Sequence, residues 1–231
     1  MQYYDEYKTD GGAFAFKIGI IYRPLKWLRA AYSFQTPVTY YLNDSYSHSM
    51  EARGVEVEGD YLNPYAASTL GYYDYKIQTP LRMMGALGFV IGKKATIGLE
   101  YEYLDYTTAN IHSNTSNNEF AETNAQIEEV LKASHNAKIG FEYRLGLFSL
   151  RTGVSYFDSP YKSSQLNKDA YTIYYNGGLG FNVNFFYVNF AYSRGITNYY
   201  YFPYSIEGVE TVPYKINRAT NKYIVTFGVR F

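Results

Sequence analysis

Along most of this chain, apolar and polar residues alternate one for one. Across 13–22 the even positions are Phe14, Phe16, Ile18, Ile20 and Tyr22, and the odd ones include Ala13, Ala15, Lys17 and Gly19. After the short link 23–26, Leu28, Ala30, Tyr32 and Phe34 alternate with Arg29, Ala31, Ser33 and Gln35. A period of two marks a β-strand, whose successive side chains point to opposite faces. The same reading gives strands at 73–91, 96–103, 136–144, 148–156, 171–183, 185–193 and 223–231, about nine in all. In the last of them Tyr223, Val225, Phe227, Val229 and Phe231 share one face, and Thr226, Gly228 and Arg230 the other. An apolar face backed by a polar or small one suits a wall between lipid and a wet lumen. Each strand is near the roughly 9–11 residues that a tilted spanning strand needs.

The connections are sorted by length. Short links occur at 23–26, 92–94, 145–147 and around Asn184, and long ones at 42–71, 107–133, 157–169 and 194–217. Strict alternation of short and long is the pattern of periplasmic turns and extracellular loops. It puts the carboxy-terminus on the periplasmic side and residues 1–12 at the end of an outer loop. A soluble sandwich also alternates, but its apolar faces must meet in a core, and nothing sorts its connections. The fold class expected is all-β, an antiparallel transmembrane barrel.

Composition sharpens this reading. Of 231 residues, 30 are Tyr and 15 Phe; an apolar ring with a polar tip suits the two girdles where a barrel crosses the lipid–water boundary. Lys plus Arg and Asp plus Glu are equal at 21 each, with no basic stripe of the kind that binds nucleic acid. No run of about 18 apolar residues could form a spanning helix. The chain has no Cys, no His-x-x-x-His spacing and no Gly-x-Ser-x-Gly elbow, and His48, His112 and His135 fall in or beside loops. No catalytic residue, metal site or cofactor is therefore expected, and the chain is read as a non-enzyme.

Two features point to a piece of something larger. The start, Met1-Gln2-Tyr3-Tyr4-Asp5-Glu6-Tyr7, has neither the basic nor the apolar segment of an export signal. Nine antiparallel strands also leave an odd count, whereas bacterial single-chain barrels have even ones. The expectation is that an odd number of strands precedes this segment in the intact barrel.

Six stretches carry a resemblance: GAFAFKIGIIYRPLKWLR at 12–29, YKIQTPLRMMG at 75–85, IGLEYEYLDY at 97–106, AKIGFEYRL at 137–145, LRTGVSYFDSPY at 150–161 and GGLGF at 177–181. In this order they resemble the carboxy-terminal two-thirds of FadL/TodX-type outer-membrane transporters of long-chain fatty acids and other hydrophobic compounds, in their Bacteroidetes-like form. The resemblance implies that residues 1–231 belong to one barrel domain, in a family with fourteen strands and an amino-terminal hatch. It implies passive uptake of hydrophobic compounds across the outer membrane of a Gram-negative bacterium. The partners expected are outer-membrane lipid, fatty acids and the barrel-assembly machinery, which would engage the closing strand ending in Phe231. A general diffusion pore or a structural surface barrel is the alternative.

Candidate site residues follow. A helix is expected at 118–132, capped by Asn117 or Asn118, with Glu119 and Glu122 at its positive end. By the resemblance, its apolar residues Phe120, Ile127 and Leu131 would form an outer landing site for a hydrophobic ligand. Lys17, Arg29, Lys76, Arg82, Glu100, Glu102, Lys138, Glu142, Arg144 and Arg151 fall on the lumen side, and most should pair with one another. Arg82 and Arg151, beside the small residues Ala86, Gly88 and Gly153, are the candidates for a bidentate grip on a ligand carboxylate. Pro37, Pro80 and Pro160 are read as punctuation at outer strand ends, with a kink opening the wall at Pro80 as the other possibility.

Overall fold

The computed structural model of the chain describes residues 1–57, 59–114, 119–204 and 211–229. Its elements, in chain order, are β1 (Gln2–Phe14), β2 (Lys17–Leu25), β3 (Leu28–Gln35), β4 (Thr39–Glu51), β5 (Val55–Val57), β6 (Asp60–Leu62), β7 (Tyr65–Ala67), β8 (Gly71–Gln78), β9 (Leu81–Ile91), β10 (Ala95–Asp105), β11 (Asn110–Ser113), α1 (Ala121–Val130), β12 (Ala133–Leu145), β13 (Phe148–Phe157), β14 (Tyr171–Val183), β15 (Phe186–Tyr201) and β16 (Tyr214–Val229). Nine of these form one sheet in the order β2-β3-β9-β10-β12-β13-β14-β15-β16. Every neighbouring pair in it is antiparallel. Eight of the strands expected from the alternation have a counterpart in it, and the one expected at 73–91 contributes its second part, β9. Its short hairpins turn on Gly92 and Gly146, both at φ 60°, a left-handed conformation that glycine adopts without a Cβ clash.

This sheet is inside out. Among the described residues no apolar side chain is buried, whereas Glu102, Ser134, Asn136 and Ser149 are. Leu179 is 60% exposed and Phe227 70%. In water such a surface would be costly, at about 25 cal/mol per Å² of apolar area. Against acyl chains it costs nothing, and the polar side chains crowd the other face around a wet interior. The sheet is a membrane wall, and the chain is an outer-membrane protein.

Cross-strand packing adds a repeated device. Tyr174 lies opposite Gly195, Tyr187 opposite Gly228 and Tyr46 opposite Gly71. In each pair the tyrosine ring covers the glycine so closely that a Cβ there would strike it, at 2.6 Å for Gly195.

The wall has a joint. Four lines of strand, β2 into β1, β3 into β4, β9 into β8 and β10 into β11, are interrupted between two register rows. The row on one side is Lys17–Gln35–Arg82–Leu104, and that on the other is Phe14–Thr39–Gln78–Asn110. Beyond the joint β1, β4, β8 and β11 form a second antiparallel sheet, joined by β7 on β4. Pro37 and Pro80 sit in the joint and have no N–H to offer. Threonine hydroxyls take over. Thr36 Oγ1 accepts from Phe16 N–H at 3.0 Å, Thr79 Oγ1 from Val38 N–H at 2.9 Å, and Thr108 Oγ1 from Leu81 N–H at 2.8 Å. The threonine backbones return two of these bonds, Thr36 N–H to Phe16 O and Thr79 N–H to Val38 O.

Several sequence expectations are corrected here. Residues 1–12 are not loop: β1 pairs with β4 along its whole length, from Gln2↔Glu51 to Phe14↔Thr39. Much of 42–71 is likewise strand, and β15 and β16 extend into 194–217. Both faces of such strands meet water, so they carry no apolar alternation. The single strand expected at 73–91 is two, β8 and β9, divided at Thr79-Pro80. Lys76, expected in the lumen, therefore lies in the outer sheet, over the Tyr41 ring at 5.2 Å. Pro160 does stand where expected, just past the end of β13, and its carbonyl accepts from Lys132 N–H at 2.7 Å. The helix is shorter than 118–132. It starts after Phe120, which gives no side-chain cap, and stops where Leu131 turns extended and bridges Tyr161. The capping role expected of Asn117 or Asn118, and the closing Phe231, lie outside the described residues. Asn124 of α1 covers the β11 edge, accepting from Ile111 N–H at 2.9 Å and donating to Ile111 O at 2.8 Å.

Carboxylates hold the outer sheet. Asp44, 6% exposed, accepts from the Tyr7 hydroxyl and from Thr9 Oγ1 at 2.7 Å. The Tyr7 bond, more than any other, holds its carboxyl below the ordinary range. Burial first, then Asp44, pushes Tyr75 up to about 12. Asp5 is lowered chiefly by its bond to His48.

Two outcomes are expected. Thr79→Val should leave Val38 N–H unsatisfied and cost about 1–3 kcal/mol, read as an earlier urea midpoint in detergent, and Thr79→Ser should restore it. Equal midpoints for both variants would deny the hydroxyl its role. Depressed carboxylates stabilise above their unfolded pKa and lose that contribution as pH falls through the folded one. Amides of β1 and β4 should accordingly lose hydrogen-exchange protection below about pH 4 while those of β15 and β16, which contain no Asp or Glu, keep theirs; parallel loss in both sheets would count against the carboxylates.

Candidate functional site: the inner face of the wall

Register brings three rows of inner-face residues together. One runs Ala86–Glu100–Lys138–Ser155, the next Gly88–Gly98–Gly140–Gly153, and the third Val90–Thr96–Glu142–Arg151. Arg29 precedes the glycine row and Asn176 follows it. Four glycines abreast leave a floor without side chains, and the space above it is a groove of about 520 Å³ bounded by Arg29, Ser155 and Asn176.

The flanking charges pair across strands. Lys138 Nζ lies 2.6 Å from Glu100, and Arg151 Nε 2.8 Å from Glu142. Arg144 Nε lies 2.5 Å from the other Glu142 oxygen. Arg151 also donates to Asn189 Oδ1 at 2.9 Å. Arg82 forms an ion pair with Glu102, whose Oε1 faces it without an aligned hydrogen bond, while Glu102 Oε2 accepts from Asn136 at 2.9 Å. Both arginine candidates are thus held by protein carboxylates, and a ligand carboxylate must compete with Glu102 or Glu142 for them. Lys17 and Arg29 have no ion-pair partner among the described residues.

The helix candidates do not converge. Phe120 meets Tyr73 edge-on at one end of α1, with ring centroids 6.5 Å apart, and Leu131 bridges Tyr161 at the other. Ile127 lies half-buried between them.

The opposite face holds a groove that the sequence did not reveal. About 630 Å³ in volume, it is lined by Leu87, Leu99, Tyr101, Ile139, Val154 and Tyr156 around the small residues Ala30, Gly85 and Ala137. The faces were readable from alternation, but this groove and the glycine floor both depend on which residues of different strands stand abreast. Only register gives that.

No family model and no curated protein matches this chain. Among solved structures it is similar to a Pseudomonas aeruginosa FadL homologue, at 9% identity and TM-score 0.42, over 96% of this chain and 67% of that one. It is also similar to OmpT, an outer membrane protein of Vibrio cholerae, at 12% identity and TM-score 0.40, over 93% of this chain and 64% of that one. The chain spans about two thirds of the length of each. Likenesses of this size carry no argument about ligand or activity.

Proposed function

We propose that this chain is an arc of an outer-membrane barrel through which hydrophobic compounds, long-chain fatty acids among them, pass by diffusion. One observation carries the reading: the glycine-floored groove on the inner face. Its four abreast glycines span three strand spacings, about 14 Å, so an extended acyl chain can lie against bare backbone between two charged rows. Removing that chain from water drives its entry. The sequence resemblance described above supports the same conclusion, and the reading involves no catalytic step.

The sheet edges belong to the proposal. β2 and β16 end the strand order without pairing each other, and unpaired backbone is not tolerated in lipid. Further strands, towards the fourteen that the resemblance implies, would complete the wall. The polar, two-signed inner face favours one competing reading, a general diffusion pore. The two differ in saturation.

Gly98 tests the groove, because a Cβ there meets nothing within 4 Å. Gly98→Leu should fold and fill the groove, cutting saturable uptake of a fluorescent long-chain fatty acid about tenfold or more, a loss of 1.4 kcal/mol. Uptake by the native protein that rises without saturation, and is indifferent to Gly98→Leu, would favour the pore.

A further inference from the structure

Near the short hairpins, below the glycine row, the inner face holds a second and quite different cavity. It is polar, about 270 Å³, and lined by Arg144, Gly146, Phe148, Ser149, Arg151 and Asn182. Arg144, Ser149 and Gly180 stand abreast on β12, β13 and β14.

Its charges do not cancel. Glu142 is the carboxylate partner of both Arg144 and Arg151, so two guanidinium groups and one carboxylate leave one positive charge. Lys94, on the facing turn, presents its carbonyl to Arg144 N–H at 2.7 Å and adds no negative group.

Its polar groups are not all used either. Ser149 is 4% exposed, yet its Oγ has no hydrogen-bond partner. A buried hydroxyl left so carries the desolvation penalty of a polar group without a partner. The Asn182 backbone N–H is bonded to Leu147 O at 2.8 Å, while its side-chain amide has no hydrogen bond among the described residues. Gly180 makes the room: a Cβ there would strike Ser149 Oγ and come within 2.7 Å of Asn189 Oδ1.

Two guanidinium groups, a hydroxyl donor and an amide around a residual charge of one match a monoanionic oxyanion. A dianion would bring one negative charge more than the pocket's residual positive charge matches. We propose that this pocket is a carboxylate-binding site at the periplasmic end of the wall, held by Arg144 and Arg151 with Ser149 and Asn182 as hydrogen-bonding partners. The carboxylate is either the head group of an amphiphile that has traversed the barrel or a small free acid of the periplasm. Only the first source rests on the uptake reading.

The test is a carboxyl-¹³C NMR titration of the protein in detergent micelles with acetate and with octanoate, and competition by inorganic phosphate. Both carboxylates should give a saturable shift, with octanoate the tighter if the amphiphile is the source and the two equal if it is a free acid. Arg144→Gln should weaken binding about tenfold and Ser149→Ala about fivefold, as for lost charged and neutral hydrogen bonds. Ser149→Ala removes one exposed-to-nothing oxygen and leaves the ladder intact, so it reports on the site even where Arg144→Gln fails to fold. Saturable acetate binding without any uptake of hydrophobic compounds would support this site and remove the transport reading. No saturable shift, tighter binding of phosphate than of acetate, or unchanged affinity in Ser149→Ala would each overturn the assignment.

Discussion

A backbone in lipid has no water to bond, and every N–H and C=O must be satisfied within the protein. The rest of this structure answers to that constraint. It selects a continuous antiparallel ladder from β2 to β16. It also explains the joint, where proline removes donors and the ladder would otherwise lapse. Three threonines close three successive gaps there, so the hydrogen-bonded surface passes from the membrane sheet to the outer sheet without a hole. Outside the bilayer the constraint relaxes, and the outer strands carry charged and hydroxylated residues on both faces.

The same constraint fixes what the inner face can be. With the apolar side chains committed to lipid, the wall has no apolar core, and its lateral order must come from polar contacts. Glu100 with Lys138, and Glu142 with Arg144 and Arg151, tie neighbouring strands at defined rows. Partly solvated pairs contribute little stability individually. Their value lies in register, since a slip of two residues would set Glu100 opposite Gly140 or Asn136 and Glu142 opposite Gly153 or Ser149, and both pairs would be lost. The glycine row between them is then a band of the face free of side chains.

How much of this was legible depended on where each residue met its solvent. In β12, Ala137, Ile139, Phe141 and Tyr143 interleave with Asn136, Lys138, Glu142 and Arg144, and both strand and facing could be read directly. In β1, Tyr3-Tyr4-Asp5-Glu6 is polar and aromatic on both sides, so it looked like loop. Thr79-Pro80 sat inside a run that alternated on both flanks, which hid the joint. The pairing of lumen charges was expected from their mixed signs, but not which carboxylate each arginine would find. Arg144 proved as central as Arg151, and Ser149, one serine among many in the sequence, acquired meaning only through its burial and the bare Gly180 beside it.

The tyrosines laid over glycines bear on assembly. Strands that pair can lock in shifted by one repeat of the pleat. Tyr187 fits over Gly228 because no side chain stands there; a shift of β16 by two residues would bring Thr226 beneath the ring. Tyr174 over Gly195 makes the same demand one strand earlier, where a shifted partner would be Ser193 or Thr197. Each pair accepts only the correct alignment, so the wall carries its own proofreading, strand by strand, in the shape of a flat ring and an empty place for it.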